Sequence, residues 1–186
     1  MMRVITGSAR GTRLQAPDGL STRPTSERVK EALFSIIQFE IEGRRVLDLF
    51  AGSGQLGIEA LSRGAKHAVF VDSGRDAVKV IRDNVKRCHL EDQSTILCTD
   101  YASFLSSCRE HFDLVFLDPP YAEKSLENAL NRIAAIDFVT DGGIIICERP
   151  SDKDLTITLD GFSRSKDYRY GKSIICLYRK TGAEEA

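Results

Sequence analysis

Five short apolar runs recur from residue 45 onward: RVLDLF (45–50), HAVFVD (67–72), STILCTD (94–100), FDLVFLD (112–118) and GGIIICER (142–149). Each is continuous and β-rich rather than alternating, the pattern of strands covered on both faces in a parallel sheet. Between them GIEALSRG (57–64), RDAVKVIRDNVKRC (75–88), YASFLSSC (101–108) and KSLENALNRIAA (124–135) read as helices. In the second of these, Ala77, Val78, Val80, Ile81 and Val85 make an apolar stripe at helical spacing. Gly64 is placed to stop the first. Strand and helix alternating in this way predict right-handed crossovers and an α/β, doubly wound, mostly parallel sheet.

Both ends depart from that rhythm. LTITL (155–159) and KSIICLYRK (172–180) are predicted as two strands with a turn near Asp160–Gly161, closing the sheet with an antiparallel pair. RVITG (3–7) and TRLQAP (12–17) are predicted to pair as a hairpin across Ala9–Arg10–Gly11. A helix then follows from about Ser26 to Gln38, with Val29, Ala32, Leu33 and Ile36 on one face and Pro24 keeping the approach extended. The expectation is a single domain: an N-terminal extension over 1–43, an α/β core over 44–180 and a flexible tail over 181–186.

Composition agrees with one globular domain: 186 residues, 42% hydrophobic and 28% charged. The net charge of −1 hides an uneven distribution. Residues 1–30 hold six basic side chains against two acidic ones, and residues 160–180 repeat that count. If the two ends lie together they make one electropositive face, as a phosphate backbone requires. Cys88, Cys98, Cys108, Cys147 and Cys176 form no C-x-x-C pair, and Cys98, Cys147 and Cys176 sit in apolar runs. They are expected to be reduced core residues, and with His67, His89 and His111 equally scattered, no metal site is expected. No run is long and apolar enough to span a membrane, and the N-terminus lacks the apolar segment of a signal peptide, so a cytoplasmic protein is expected.

The first chemical signal is VLDLFAGSGQLG (46–57). Gly52-x-Gly54-x-x-Gly57 follows a strand and opens a helix, the setting of a nucleotide-binding turn. Asp72 ends the second strand, placed to accept hydrogen bonds from a ribose diol. Those features suit either a dinucleotide or S-adenosylmethionine. Asp48 separates them: an acid just before the turn would repel a pyrophosphate but complements a cationic methionine moiety with its amino group and sulfonium. Asp100, after the third strand, is placed either to bind an adenine amino group or to cap the next helix.

The second signal is FDLVFLDPPY (112–121). Two prolines directly after a buried strand fix a rigid exposed turn at the carboxyl edge of the sheet. Asp118 brings a carboxylate and Tyr121 an aromatic face. An exocyclic base amine is a poor nucleophile, and hydrogen bonds to Asp118 and the Pro119 carbonyl would localise its lone pair, while Tyr121 stacks the flipped base. The D-x-F-A-G-S-G turn resembles the cofactor loop of class I methyltransferases, and D-P-P-Y resembles the motif of amino-methyltransferases. Adenine N6, guanine N2 and glutamine N5 remain open as acceptors at this point.

The flanks narrow the choice. RVITGSARGTRL (3–14), TRPTSERVKEALFSI (22–36), LDLFAGSGQLGIEALSRGA (47–65), LDPPY (117–121) and YRYGKS (168–173) together resemble the RsmD family of bacterial 16S rRNA guanine-N2 methyltransferases. That resemblance covers nearly the whole chain. It implies S-adenosylmethionine as cofactor, 16S rRNA of the small ribosomal subunit as substrate, with ribosomal proteins alongside, and a monomer. The expected cofactor set is Asp48, Phe50, Ala51, Gly52, Ser53, Gly54, Asp72, Ser73, Asp100 and Tyr101. The expected catalytic set is Asp118, Pro119, Pro120 and Tyr121. Arg10, Arg13, Arg23, Thr25, Arg28 and Arg169 are expected to face RNA, with ion pairs to Glu27 or Glu31 as the competing use of Arg23 and Arg28. Asn84 also matches the family and is expected to support the loop after the glycine turn. One departure is Asp72, where these proteins commonly carry Glu. The rival readings are an amino-methyltransferase acting on DNA adenine or protein glutamine, and a non-catalytic ribosome-assembly factor.

Overall fold

The computed structural model describes residues 2–17, 27–119, 125–152 and 157–182. In chain order the elements are α1 (Glu27–Ile36), β1 (Arg45–Asp48), α2 (Gln55–Ser62), β2 (His67–Asp72), α3 (Arg75–Arg87), β3 (Ser94–Cys98), α4 (Tyr101–Ser107) and β4 (Phe112–Leu117). They continue with α5 (Ser125–Ala134), β5 (Val139–Pro150), β6 (Phe162–Arg164), β7 (Tyr168–Tyr170) and β8 (Ser173–Lys180). The strands form one sheet in the order β3-β2-β1-β4-β5-β8-β6, with β7 also paired to β8. β1 to β5 are mutually parallel, and β8 runs antiparallel to β5. The doubly wound α/β sheet predicted by the apolar runs is the one observed.

Alternate residues of each strand feed two apolar layers. Val46, Phe70, Leu114, Phe116, Ile144, Ile146, Ile175 and Leu177 face α1, α2, α3 and the N-terminal segment. Leu47, Val69, Val115, Leu117, Ile145, Cys147 and Tyr178 face α4 and α5. β1, β2, β4, β5 and β8 are thus covered on both faces, which is why their sequences are apolar without alternation. The chain builds outward from β1 to β2 and β3, then returns to lay β4 on the other side of β1. At that switch point, where α/β sheets bind their ligands, β1 and β4 lead into separate segments at their carboxyl ends.

Several expectations are corrected. Residues 157–159 of the predicted strand LTITL form no strand; 155 and 156 lie outside the described residues. Leu159 is buried and the Ile157 carbonyl accepts the Tyr178 hydroxyl at 3.1 Å, so the apolar periodicity reports packing rather than pairing. The edge of β8 is taken instead by β6 and β7. The N-terminal hairpin reduces to a single antiparallel bridge, Arg3↔Arg13. Its turn does fall at Ala9–Gly11, with the Thr12 amide donating to the Ala9 carbonyl at 3.1 Å. Cys147 and Cys176 are buried opposite each other in β5 and β8, whereas Cys98 is exposed because β3 is the sheet's edge strand. Cys88 is buried in its place, and that burial pushes its thiol up to about 11. Among the described residues no helix is long and apolar enough to cross a membrane.

Candidate active site

β1 ends at Asp48, and the next residues are pinned to the strands on either side. The Leu49 amide donates to the Phe116 carbonyl at 3.2 Å, and the Ala51 amide to the Val71 carbonyl at 3.0 Å. Gly52 and Gly54 then take φ values of +55° and +77°, which an L side chain resists. Beyond conformation, Gly52 faces open space: a Cβ there would meet only the Phe50 carbonyl oxygen, at 4.0 Å. Gly57 is a glycine for a different reason. A Cβ at that position would lie 2.3 Å from Phe70 Cε1, so the helix could not sit this close to β2.

Gly54 is the N-cap of α2 and has no side chain to satisfy the helix's first amides. Asp48 does this from the strand: its Oδ2 accepts the Gly57 N–H at 3.0 Å. The carboxyl is buried, and burial is the main reason it is pushed up to about 7, against the downward pull of the Gly57 hydrogen bond and with a further push from the Asp72 charge. Asp48 is therefore an acid that meets no cation among the described residues. Asp72, at the end of β2, binds the turn with both oxygens, accepting Gly52 N–H on Oδ2 and Gly74 N–H on Oδ1, each at 2.8 Å. Each oxygen retains acceptor capacity after these bonds. Ser73 beside it is exposed.

Phe50 and Tyr101 bring the β1 loop against the start of α4, their ring centroids 5.2 Å apart and tilted by 46°. Asp100 takes the capping role that competed with adenine binding in the sequence. It accepts the Ser103 amide at 2.9 Å and the Ser103 hydroxyl at 2.6 Å, bonds that lower its pKa. Its side chain remains exposed. On the other side of β1, β4 pairs with it in the register Asp48↔Phe116. Asp118 thus emerges two residues past the partner of Asp48; it is half-buried, and Pro119 is buried. Pro120 and Tyr121 lie outside the described residues, as do Arg23 and Thr25.

The N-terminal arm, residues 2–17, is fastened by side chains that the sequence pattern did not single out. Glu59 of α2 is fully buried and accepts the Ile5 and Thr6 amides at 2.8 and 3.0 Å. It also meets Lys30 at 3.3 Å and Arg63 at 2.8 Å. The Lys30 ammonium, itself buried, donates to the Arg3 carbonyl at 2.6 Å. Ser62 accepts the Ala9 amide and donates to the Thr6 carbonyl. Asn84, expected to support the loop after the glycine turn, instead bonds within the turn itself, donating to the Ser53 carbonyl at 2.9 Å. The only local signal for these roles was polar residues at helix positions whose neighbours are apolar.

Of the two basic ends, the N-terminal arm packs on the face of the sheet that Ile175 and Leu177 share, whereas Lys180 follows Cys176 and Tyr178 onto the opposite face. Their charges are not equally available. Arg164 pairs with Asp167, Arg179 with Glu40 and Lys180 with Asp137, and Arg3 pairs with Glu27. Arg10, Arg13, Arg28 and Arg169 are exposed and make no ion pair among the described residues.

A family model described as "Conserved hypothetical protein 95" matches residues 2–179. The chain is 38% identical over 184 residues to the protein YlbH of Bacillus subtilis, covering 97% of this chain and 100% of that one. It is 34% identical over 182 residues to the ribosomal RNA small subunit methyltransferase D of Haemophilus influenzae, covering 96% and 93%. Among solved structures it is similar to the Escherichia coli protein yhhF, with a TM-score of 0.87, 31% identity and coverage of 97% and 98%.

Proposed function

The chain belongs to the RsmD family, described as conserved hypothetical protein 95, and has the class I methyltransferase fold; from that premise we propose that it moves the methyl group of S-adenosylmethionine to the exocyclic N2 of a guanine in small-subunit ribosomal RNA. One observation carries the reading. The buried acid of the glycine turn and the Asp118–Pro119 turn leave adjacent parallel strands, β1 and β4, at the point where strand order reverses.

The residues suit the cofactor. Asp48 is a buried carboxyl raised by desolvation, and a neighbouring ammonium or sulfonium relieves that penalty. Asp72 is held by two amides with acceptor capacity left for a ribose diol. Gly52 leaves the backbone open to close approach. When bound, S-adenosylmethionine supplies an electrophilic methyl group. Asp118 and the Pro119 carbonyl accept the N–H bonds of the base amine, drawing its lone pair out of ring conjugation and aiming it for in-line displacement. Tyr121 stacks on the extruded base. Arg10, Arg13, Arg23, Thr25, Arg28 and Arg169 hold the surrounding RNA, chiefly through phosphates.

Labelled cofactor incubated with free ribosomal RNA, partly assembled small subunits, DNA and a release-factor protein tests the acceptor. Label is expected in small-subunit RNA and, after digestion, in N2-methylguanine. Label in DNA or protein alone overturns the assignment. Asp118→Ala is expected to slow transfer by about 10²–10⁴ with cofactor affinity little changed.

A further inference from the structure

Asn84, on α3, is fully buried and spends its whole amide on main chain from two separate parts of the molecule. Its Oδ1 accepts the Gln15 N–H at 2.8 Å while its Nδ2 donates to the Gln15 carbonyl at 2.9 Å. That is the pair of bonds a neighbouring strand would offer, supplied by one side chain. The second Nδ2 hydrogen goes to the Ser53 carbonyl, between the two glycines of positive φ. A separate contact joins the same regions. The Ser53 hydroxyl donates to the Met2 sulfur at 3.3 Å, and the Met2 carbonyl accepts the Leu14 amide at 2.9 Å. Met2, Leu14–Gln15, Asn84 and Ser53 therefore close a circuit between the arm and the glycine turn.

The turn and the arm share no ladder; beside the anchorage of the arm on Glu59 and Ser62 of α2, this circuit is the direct link between them. Whatever fixes the turn fixes the Ser53 carbonyl, and the shared amide group then holds Gln15 in register. We propose that Asn84 is a positioning residue that couples occupancy of the glycine turn to the ordering of the N-terminal arm, so that cofactor and RNA each tighten the binding of the other. The inference rests on the function proposed above, in which the turn takes the cofactor and the arm, with Arg10 and Arg13, faces RNA. Coupling of this kind is reciprocal by thermodynamic necessity and is typically worth about 5–150-fold in affinity. A purely structural Asn84 would hold the arm equally well with the turn empty or filled.

Amide hydrogen exchange of the intact protein with and without S-adenosylhomocysteine separates these cases. In the natural chain the ligand is expected to slow exchange at Gly52 and Gly54, and at Leu14 and Gln15 by about 5-fold or more. Asn84→Asp keeps the shape but turns a donor into an acceptor facing two carbonyls, and protection at Gln15 should vanish while the turn stays protected. Should that variant not fold, Gln15→Pro removes the Gln15 N–H, fixes its φ in the range an extended segment already uses, and leaves the Asn84–Ser53 bond; the loss of ligand-dependent protection is then read at the Leu14 amide. In either variant the ligand should cease to alter affinity for a small-subunit RNA transcript. Protection of the turn without protection of Leu14 and Gln15 in the natural chain overturns the coupling alone. Absence of protection at Gly52 and Gly54 overturns the cofactor reading and the coupling with it.

Discussion

In β4 every residue from Leu114 to Leu117 is buried, and its main chain is paired on both sides by β1 and β5. In the arm only Val4, Ala9 and Leu14 are buried, and most amide hydrogens find no strand. Ile5 and Thr6 donate to Glu59, Ala9 to Ser62 and Gln15 to Asn84. The same apolar layer lies beneath both regions. A segment with little apolar area is thus held in one register when buried polar groups specify its amides. Unpaired, those groups are costly, so the arrangement tolerates few alternatives.

Removing the keystone of the arm should have the largest effect. Glu59→Ala leaves the Lys30 ammonium buried without its carboxylate and strands the Ile5 and Thr6 amides. A loss of about 3–5 kcal/mol is expected in urea unfolding, with early proteolytic cleavage in residues 2–17. A loss below ~1 kcal/mol would mean that the arm is held by its apolar contacts after all.

The core carries the next effect, and it depends on pH. Asp48 has an ordinary value of 3.8 and is raised to about 7 in the folded chain. The folded state therefore binds more protons than the unfolded state between those values. Its contribution to stability is complete below about 4 and is lost as pH rises through about 7. Asp48→Asn keeps an acceptor for Gly57 and carries no charge. Its stability relative to the natural chain should climb by about 3 kcal/mol from pH 4 to 7 and level off above that at about 4 kcal/mol, while affinity for S-adenosylmethionine falls. A difference that stays flat across that range would contradict the burial of Asp48.

The smallest change in stability is expected at the arm's outer surface. Arg10→Ala with Arg13→Ala removes exposed cations that make no ion pair among the described residues, so unfolding should shift by less than about 0.5 kcal/mol. Affinity for small-subunit RNA should nevertheless fall, and its dependence on salt should flatten by about two phosphate contacts. An unchanged salt slope would detach the arm from RNA binding.

The contrast between the regions also explains what could be read from the residues alone. Runs such as FDLVFLD declare a strand covered on both faces, and the sheet followed from them. The glycine turn was readable, because it is contiguous in sequence and follows directly on a strand; of the D-P-P-Y segment only Asp118 and Pro119 are among the described residues, directly after β4. Glu59 was not: within GIEALS it looks like any charge on a helix, and only the arriving arm makes it a buried acceptor. LTITL misled because a buried flank and a paired strand share one periodicity. The basic count over residues 160–180 overstated the free charge, since Asp167, Glu40 and Asp137 engage three of its six cations.

β8 is last in sequence yet lies inside the sheet, between β5 and β6, joined to β5 by pairs running from Ile144↔Arg179 to Pro150↔Ser173. A nascent chain will thus have produced all five parallel strands while the long outer border of β5 still waits for its neighbour. Completion waits for residues 173–180, and a chain stalled before residue 173 offers that border to other stalled chains. For this molecule, premature termination is a solubility problem before it is a loss of activity.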